Sequence, residues 1–151
     1  MSSSGPPPIR LRPATLADAE FVYAIRNDPH TRAASLSSDQ LSYADHYQWF
    51  KSSLSLPSRR LFIAEAGEKA IGSARMDEGA DAVTLSWSIA PDQRGRGLGR
   101  ALVAALAAMA PGRLLAVIKS DNAASRSIAE AAGFELIDES DGICHYGREP
   151  L

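Results

Sequence analysis

A glycine-rich turn that runs directly into an apolar-periodic helix constrains this chain more than any other feature. The turn spans Gln93–Arg100 and carries Gly95, Gly97 and Gly99. Glycine leaves backbone amides uncovered and lets them approach a ligand, and a helix start adds unpaired N–H groups and the positive end of its dipole. The pattern predicts a site for an anionic ligand. The alternative is a solvated turn whose arginines serve solubility.

Length and charge limit what the ligand can be. The chain has 151 residues and a formal net charge of −2, which indicates one domain and no overall field for nucleic acid or an anionic membrane. A local anion site therefore fits a small molecule better than a polymer. With one cysteine, Cys144, and three histidines, there is no internal disulfide and no metal-ligand spacing. We expect no metal, no nucleic-acid or membrane partner, and a cytoplasmic location.

The two ends of the chain differ in composition. Residues 1–8 are rich in serine, glycine and proline and lack the apolar core of a signal peptide. We expect these residues to form a flexible leader, and residues 9–151 to form a single domain.

Hydrophobic periodicity predicts seven strands and four helices. Capping-box patterns at Thr15–Asp18 and Ser42–Asp45 predict the starts of the first two helices, and the polar stretch Thr31–Leu41 between them is predicted to be a loop. The other predicted helices cover Leu98–Met109 and Asn122–Ala132. The predicted strands are Ile9–Arg12, Leu61–Glu65, Ala70–Met76, Val83–Ile89, Leu114–Ile118, Phe134–Asp138 and Ile143–Tyr146.

Two of these strands receive more specific predictions. The continuous apolar run of Leu114–Ile118 is typical of a strand buried on both faces, and Ile143–Tyr146 is placed at an edge of the sheet. The unit from Val83 to Ile118 predicts a right-handed crossover between parallel neighbours. Ligands in such sheets bind beyond the carboxyl ends of strands, which is where the glycine turn lies.

Familiar phosphate-binding motifs do not match the turn. A P-loop requires Gly-Lys-Ser/Thr, whereas Gly99 is followed by Arg100 and Ala101. A dinucleotide fingerprint lies at the first strand–helix turn, early in the chain, whereas this turn begins only at Gln93.

Three signatures in the right order resemble the Gcn5-related N-acetyltransferase (GNAT) family. Arg94–Gly99 fits its pyrophosphate loop, Gln/Arg-x-x-Gly-x-Gly/Ala. Asn122–Ser125 resembles its Asn-x-x-Ala/Ser motif, and Ala132–Phe134 its x-Gly-Phe motif. The resemblance covers nearly all of the chain from Ile9 to Tyr146. It implies an α/β (α+β) fold with a mixed, mostly antiparallel sheet of six to seven strands, about four helices, and central parallel strands that splay apart.

The resemblance also implies acetyl-CoA as cosubstrate and a role for each matching residue. The backbone N–H of Ile89 would hold the thioester carbonyl as it gains charge. Asn122 would bond the pantetheine arm or order its loop, with help from Ser125; the alternative is a helix N-cap and a first-turn residue. The residues implied to surround the pyrophosphate, chiefly through main-chain amides, are Arg94, Gly95, Arg96, Gly97, Leu98, Gly99 and Arg100.

The chain departs from the family where many members carry an acid and a base. At the position where many members carry a glutamate base, this chain has Thr84. At the position of the usual tyrosine acid, it has Ala129. A thiol of pKa about 8.5 leaves readily without a donor, and an amine of pKa about 7.7 to 8.0 needs a base less than lysine does. His46 suits neutral pH, although it could equally be a packing or surface residue. The other candidates are His30, Glu65 or Asp77 as base, and Ser86, Ser88 or Tyr146 as relay or acid.

The first half resembles nucleotide-amino-sugar N-acetyltransferases and, similarly, ribosomal-protein N-terminal acetyltransferases. The matching segments are Arg26–Pro29 with Arg32, and His46–Phe50. The resemblance implies that Arg26, Asn27 and Arg32 bind a nucleotide-linked acceptor, with the guanidinium groups on its diphosphate, and that Trp49 or Trp87 stacks on a base or sugar. The alternative is that Arg26 caps a helix and that the tryptophans belong to the core. For Trp87 the core is favoured, because this residue lies on the apolar face of its strand.

Together these patterns predict an N-acetyltransferase in which the amine of a small acceptor attacks acetyl-CoA directly within a ternary complex. The first acceptor to consider is an amino sugar or its nucleotide conjugate, and a protein N-terminus is the alternative. A non-catalytic acyl-CoA-binding module is the alternative from another class. A homodimer is left open.

Overall fold

The computed structural model describes residues 8–34 and 41–150. Within these ranges, one mixed sheet is flanked by helices. The helices are α1 (Ala19–Arg26), α2 (Pro29–Ala34), α3 (Tyr43–Ser55), α4 (Leu98–Met109) and α5 (Ala123–Ala131), and the strands are β1 (Ile9–Pro13), β2 (Arg59–Ala66), β3 (Lys69–Glu78), β4 (Val83–Ile89), β5 (Leu114–Lys119), β6 (Glu135–Ser140) and β7 (Ile143–Arg148).

The sheet order is β1-β2-β3-β4-β5-β7-β6. Among the described strands, β4 and β5 are parallel neighbours and every other pair is antiparallel. The predicted mixed, mostly antiparallel sheet and the crossover from Val83 to Ile118 are therefore confirmed.

The parallel pair separates soon after it forms. Val83 pairs with Leu114 and Thr84 with Leu115, and no further pairs join β4 to β5. The carboxyl halves of both strands thus diverge, which confirms the predicted splay and opens a gap in the middle of the sheet.

The two faces of the sheet have separate cores. On one face, α4 buries Leu102 and Leu106 against Phe62, Met76 and Leu85. On the other, α1 and α3 bury residues such as Val22 and Phe50 against Ile63. Burial of such side chains, at about 1.5–3 kcal/mol each, fixes both helical layers on the sheet.

The stretch predicted as the loop Thr31–Leu41 begins as a helix instead. Pro29 opens α2, a position where its missing N–H costs nothing. The carboxylate of Asp28 accepts a hydrogen bond from the N–H of Thr31 at 3.0 Å, as an N-cap residue does. Residues 35–40 of that predicted loop, and residues 1–7 of the predicted leader, lie outside the described residues.

Two predictions about individual strands were wrong. The edge strand is β6, which is exposed along its length, whereas β7 lies between β5 and β6 with Cys144 and Tyr146 buried. Strand β5 alternates between buried and half-buried residues rather than being buried on both faces. Val117 and Lys119, on its half-buried face, border the cavity between β4 and β5.

Candidate active site

The glycine turn has the backbone geometry that only glycine adopts without strain. Gly95 and Gly97 have φ of 79° and 75°, in the left-handed region that costs other residues about 1–2 kcal/mol. Gly97 is also the N-cap of α4, and no side chain caps its first turn. The first N–H groups of α4 are therefore left for a ligand.

Gly99 has a different purpose, which is close packing. A Cβ placed on Gly99 would lie 2.6 Å from the Cδ1 of Ile128, far inside van der Waals contact. The missing side chain lets the start of α4 approach α5, so the glycine turn and the start of α5 can border the same cavity.

Backbone direction along β4 follows from two hydrogen bonds. The N–H of Val83 donates to Arg113 on the β5 side, and the N–H of Ala90 donates to Ile71 on the β3 side. Successive N–H groups of a strand point to opposite sides. The N–H of Ile89 therefore points toward β5, into the part of the sheet where β4 and β5 no longer pair.

A cavity of about 580 Å³ occupies this gap, and we call it the main cavity. The glycine turn borders it on one side, and the carboxyl ends of β4 and β5 border it on another. The lining residues from these elements and from the start of α5 include Trp87, Ser88, Ile89, Gly95, Gly97, Leu98, Gly99, Val117, Lys119, Asn122 and Ser125.

The arginines of the turn have side-chain partners of their own. Arg94 forms an ion pair with Asp28 at 3.0 Å and donates to Thr31 Oγ1 at 2.7 Å, which ties the turn to α2. Arg100 borders the main cavity and donates to Ser127 Oγ at 3.3 Å. Arg96 is exposed, donates to Gln93 Oε1 at 2.6 Å, and is absent from the cavity wall. Its side chain is therefore not placed to meet a ligand there.

Asn122 and Ser125 line the main cavity, and Asn122 is also the N-cap of α5. Asn122 Oδ1 accepts from the N–H of Ser125 at 3.2 Å. This leaves the amide NH₂ of Asn122 for another acceptor. The capping alternative and the cofactor role are thus compatible in one side chain.

A second, smaller cavity of about 160 Å³ adjoins the first, between β3 and β4 and the layer of α1 and α3. We call it the acceptor-side cavity. No residue of the glycine turn borders it. Six residues border both cavities: Arg26, Thr31, Arg75, Ser86, Trp87 and Ser88.

His46 does not reach either cavity, which corrects the prediction that it acts as base. Its side chain is 0% exposed between α1 and α3. Nε2 lies 2.9 Å from the carbonyl oxygen of Ala19, and Nδ1 lies 3.1 Å from Nη1 of Arg26. Since a guanidinium only donates and a carbonyl only accepts, Nδ1 is the acceptor and Nε2 carries the proton. Burial, and then the Arg26 charge, lower the pKa of His46, so both nitrogens are occupied in a neutral ring.

Three other acid–base candidates lie away from the cavities. Glu65 pairs with Arg10 and Arg12, whose hydrogen bonds lower its pKa. Tyr146 is buried, donates to Glu130 and accepts from Arg126. Asp77 forms ion pairs and is absent from both walls.

His30 is the one histidine, aspartate or glutamate among the described residues of either wall. It projects from α2 and is exposed. Of the base candidates, it is therefore the residue that the fold brings to the site.

Of the predicted acceptor-binding residues, the fold brings together Arg26, Trp49 and Trp87. Arg26 and Trp87 border both cavities, and Trp49 borders the acceptor-side cavity. Trp87 also packs against the α4 core, as its core alternative predicts, and its stacking on an acceptor stays a prediction. Asn27 ends α1, and neither it nor Arg32 borders a cavity. Asn27 is the C-cap of α1 and Arg32 lies in the last turn of α2, so the prediction that they bind the acceptor is not supported by their positions.

Arg75 borders both cavities and was not among the predicted site residues. It pairs with Ser86 across β3 and β4, and paired residues share a face of the sheet. The signal was present in the alternation of Ser73, Arg75 and Asp77 along an otherwise apolar strand. An arginine in the middle of a central strand needs a polar environment, and here the acceptor-side cavity supplies it.

The described residues also bear on metal-binding and membrane-spanning classes of protein. No cluster of three or more histidine, cysteine, aspartate or glutamate side chains could hold a metal ion. Within the same residues, no helix has both the length and the apolar character needed to cross a membrane.

Comparison with known proteins identifies the class. Residues 9–135 match the family model described as an acetyltransferase (GNAT) domain, and the chain belongs to this family. It is an acyltransferase with acetyl-CoA as cosubstrate. No curated protein matches the chain.

Solved structures of acetyltransferases share the fold over almost their full length. An acetyltransferase from Thermus thermophilus is 26% identical, with a TM-score of 0.81 over 95% of this chain and 97% of that one. AAC(6')-Ib in complex with ribostamycin and coenzyme A is 21% identical, with a TM-score of 0.81 over 94% and 93%. Spermidine N-acetyltransferase from Vibrio cholerae, in complex with CoA and spermine, is 15% identical, with a TM-score of 0.81 over 94% and 95%.

Proposed function

We propose that this enzyme transfers the acetyl group of acetyl-CoA to the primary amine of a small acceptor by direct attack in a ternary complex. The observation that carries the proposal is the junction of the two cavities at Ser86, Trp87 and Ser88. The glycine turn borders one cavity and the arginine and tryptophan side chains border the other, so donor and acceptor would meet beside the splayed end of β4.

The donor side is assigned from backbone donors. The free N–H groups at the start of α4 would bind the pyrophosphate, as helix N-termini bind anions. The N–H of Ile89 points into the gap and would stabilise the negative charge that develops on the thioester oxygen. The amide of Asn122 would donate to the pantetheine arm.

Departure of the thiol needs no side-chain acid, whereas the attacking amine must lose a proton. The unprotonated amine attacks the thioester carbon, the C–S bond breaks, and the thiolate of CoA leaves with its electron pair. A thiol pKa of about 8.5 makes that departure easy at neutral pH. His30 is the base that we propose for the amine proton, directly or through water, and Ser88 is the proposed relay because it borders both cavities.

An amino sugar or a nucleotide-linked amino sugar is the first acceptor class to test. Support comes from the aromatic ring of Trp49 in the acceptor-side cavity, because such rings stack on sugar and base faces; Trp87 borders the same cavity. Arg26 in the same wall supplies a guanidinium for phosphate oxygens. A protein N-terminus is the alternative acceptor.

Release of free thiol tests the proposal. The protein is mixed with acetyl-CoA and a panel of amino sugars, nucleotide-linked amino sugars, amino acids, polyamines and N-terminal peptides. We expect thiol release with at least one class, and acetylated product by mass spectrometry. CoA binding without release above background for every acceptor would favour the non-catalytic acyl-CoA-binding module.

A pair of variants tests the backbone donor. Ile89→Pro removes an N–H that is not used in the β3 pairing, while Ile89→Ala keeps that N–H and loses the same side chain. Loss of one such donor typically lowers kcat about a hundredfold or more. We expect this additional loss in Ile89→Pro relative to Ile89→Ala, with both proteins folded by circular dichroism.

A further inference from the structure

We propose that Arg26 and Arg75 form an anion subsite in the acceptor-side cavity, so that the acceptor is a primary amine that also carries a carboxylate or phosphate group. This inference rests on the proposed function, because it describes the acceptor of the same reaction. It narrows the acceptor class to amines that also carry a negative charge.

Two guanidinium groups meet over one aromatic ring in this cavity. The Arg26 guanidinium carbon lies 4.1 Å from the centre of the Trp49 ring, and that of Arg75 lies 5.9 Å from it. Arg26 comes from α1 and Arg75 from β3, so tertiary packing alone brings them together. Like charges this close repel each other. Burial first, and then the Arg75 charge, lower the pKa of Arg26.

The protein does not supply enough negative charge to balance the group. Asp77 is shared between Arg59, at 2.6 Å, and Arg75, at 2.8 Å. Arg26 has no carboxylate within ion-pair distance among the described residues; its side-chain hydrogen bond goes to the neutral ring of His46. Three guanidiniums therefore surround Trp49 with one carboxylate between them, which leaves an excess of two positive charges.

One buried donor beside this cavity lacks a well-directed acceptor. The Nε of Arg75 is buried without a hydrogen-bond partner in the described part of the chain, since the Asp77 carboxylate, 2.8 Å away, lies outside hydrogen-bonding direction. The Nε1 of Trp87 is also unpartnered there, but Trp87 packs on the opposite, α4 face of the sheet. A guanidinium can only donate, and leaving a buried donor unpaired is costly. A ligand oxygen in this cavity would accept a hydrogen bond from the Arg75 guanidinium.

The walls also discriminate against cationic acceptors. Neither cavity has an aspartate or glutamate among its described lining residues. A polyamine or an aminoglycoside would bring several positive charges to Arg26 and Arg75 and find no carboxylate to bind. An acceptor with one amine and one oxyanion group matches the wall, with its anion on the guanidiniums and its amine toward Ile89.

Anion binding to the CoA-saturated protein tests the subsite without knowledge of the acceptor. The two tryptophans, Trp49 and Trp87, both border the acceptor-side cavity, so their indole N–H signals in ¹H–¹⁵N NMR report on it. Inorganic phosphate and acetate are titrated separately, with excess CoA filling the donor site. We expect a saturable shift of the Trp49 signal with at least one anion, because both guanidiniums lie over the Trp49 ring. Which anion acts distinguishes phosphate from carboxylate recognition.

Matched variants assign the effect. Arg75→Gln removes the charge from the wall, and we expect at least tenfold weaker anion binding with unchanged CoA affinity. Arg59→Gln removes a charge from the same cluster, but Arg59 borders neither cavity, so binding should persist. Arg26 is replaced by lysine rather than by a neutral residue, because a neutral side chain would leave Nδ1 of buried His46 without its donor. Equal binding by wild type and Arg75→Gln, or no saturable shift with either anion, would overturn the subsite.

Turnover of matched acceptors then separates this inference from the proposed function. Alanine is compared with alaninamide, and glucosamine 6-phosphate with glucosamine. The compared quantity is kcat/KM, with the acceptor concentration counted as the unprotonated amine alone. We expect the anionic member of at least one pair to be favoured about tenfold, and Arg75→Gln to remove that preference. Turnover with preference for the uncharged members would overturn the subsite alone. Absence of thiol release from the whole acceptor panel would count against the proposed function, while the NMR result would still decide the subsite.

Discussion

Arg26 Nη1 donates to Nδ1 of His46 at 3.1 Å, while the opposite nitrogen of that ring donates to the carbonyl of Ala19. Because both ring nitrogens are engaged in a fully buried side chain, His46 is a structural link between α1 and α3. The same bond positions Arg26 at the wall of both cavities. The histidine therefore influences the site through Arg26 rather than through proton transfer.

This link predicts how stability depends on pH. Burial lowers the pKa of His46 below its ordinary value of 6.5, so the unfolded chain binds a proton more readily than the folded one. The stabilisation is fully present above pH 6.5 and is lost as the pH falls through the lowered folded value. We expect the Tm of wild type to fall more steeply between pH 7 and pH 5 than that of His46→Gln. Parallel Tm profiles would contradict this link.

His46→Gln also separates structural from catalytic roles. Disturbing the buried hydrogen bonds should cost about 1–3 kcal/mol of stability, measured by urea unfolding at pH 7.5. The folded variant should retain a measurable kcat. Loss of kcat in a fully stable variant that keeps its affinity for anions at Arg26 and Arg75 would restore His46 as a base.

Gly97 provides a test of the anion turn with an internal control. Gly97→Ala and Gly112→Ala both place a side chain at positive φ, 75° and 80°, and neither Cβ meets another atom within 4 Å. Each should therefore cost about 1–2 kcal/mol. Only Gly97 borders the main cavity, so only Gly97→Ala should raise the Kd for CoA, by calorimetry, beyond the stability effect. Equal Kd values for the two variants would argue against the turn as the CoA site.

Gly99 and Ile128 should behave as a coupled pair. A Cβ on Gly99 lies 2.6 Å from Ile128 Cδ1, so Gly99→Ala should cost about 1–3 kcal/mol through overpacking. Ile128→Val removes that Cδ1 atom. We expect the double variant to recover most of the loss, as a coupling energy from urea unfolding of the four proteins. Additive changes would show that the contact does not limit the approach of α4 and α5.

Asn122 carries a cap and a free amide, and the two can be separated. Asn122→Asp keeps the oxygen that accepts from Ser125 N–H, so its Tm should stay near that of wild type. Asn122→Ala removes the cap and should cost about 1 kcal/mol. Since both variants lose the amide donor, both should raise the KM for acetyl-CoA. An unchanged KM in Asn122→Asp would restrict the residue to capping.

His30 should shape the pH dependence of the reaction. With His30→Gln we expect kcat/KM to fall about 10²-fold, the lower range for a general base, at a pH where the acceptor amine is mostly protonated. The loss should shrink at higher pH, where the amine is already free. A uniform loss at every pH would instead indicate a binding role, and no loss would leave deprotonation to solvent.

Local sequence determined the donor half of this protein. The glycines at 95 and 97, the apolar period of α4 and the cap at Asn122 act within a few residues of chain, so their geometry is set by neighbouring residues and could be predicted. The alternation of β4 likewise determined which residues face α4.

Only the tertiary structure decided the acceptor half. Arg26, Arg75 and Trp49 come from α1, β3 and α3, and no local pattern says which of their faces meet. Packing also places β7 between β5 and β6, buries His46 away from the cavities and brings His30 to the wall of the main cavity. The physical reason is that hydrophobic burial chooses among non-local arrangements as a whole, whereas turn and cap geometry depends on adjacent residues alone.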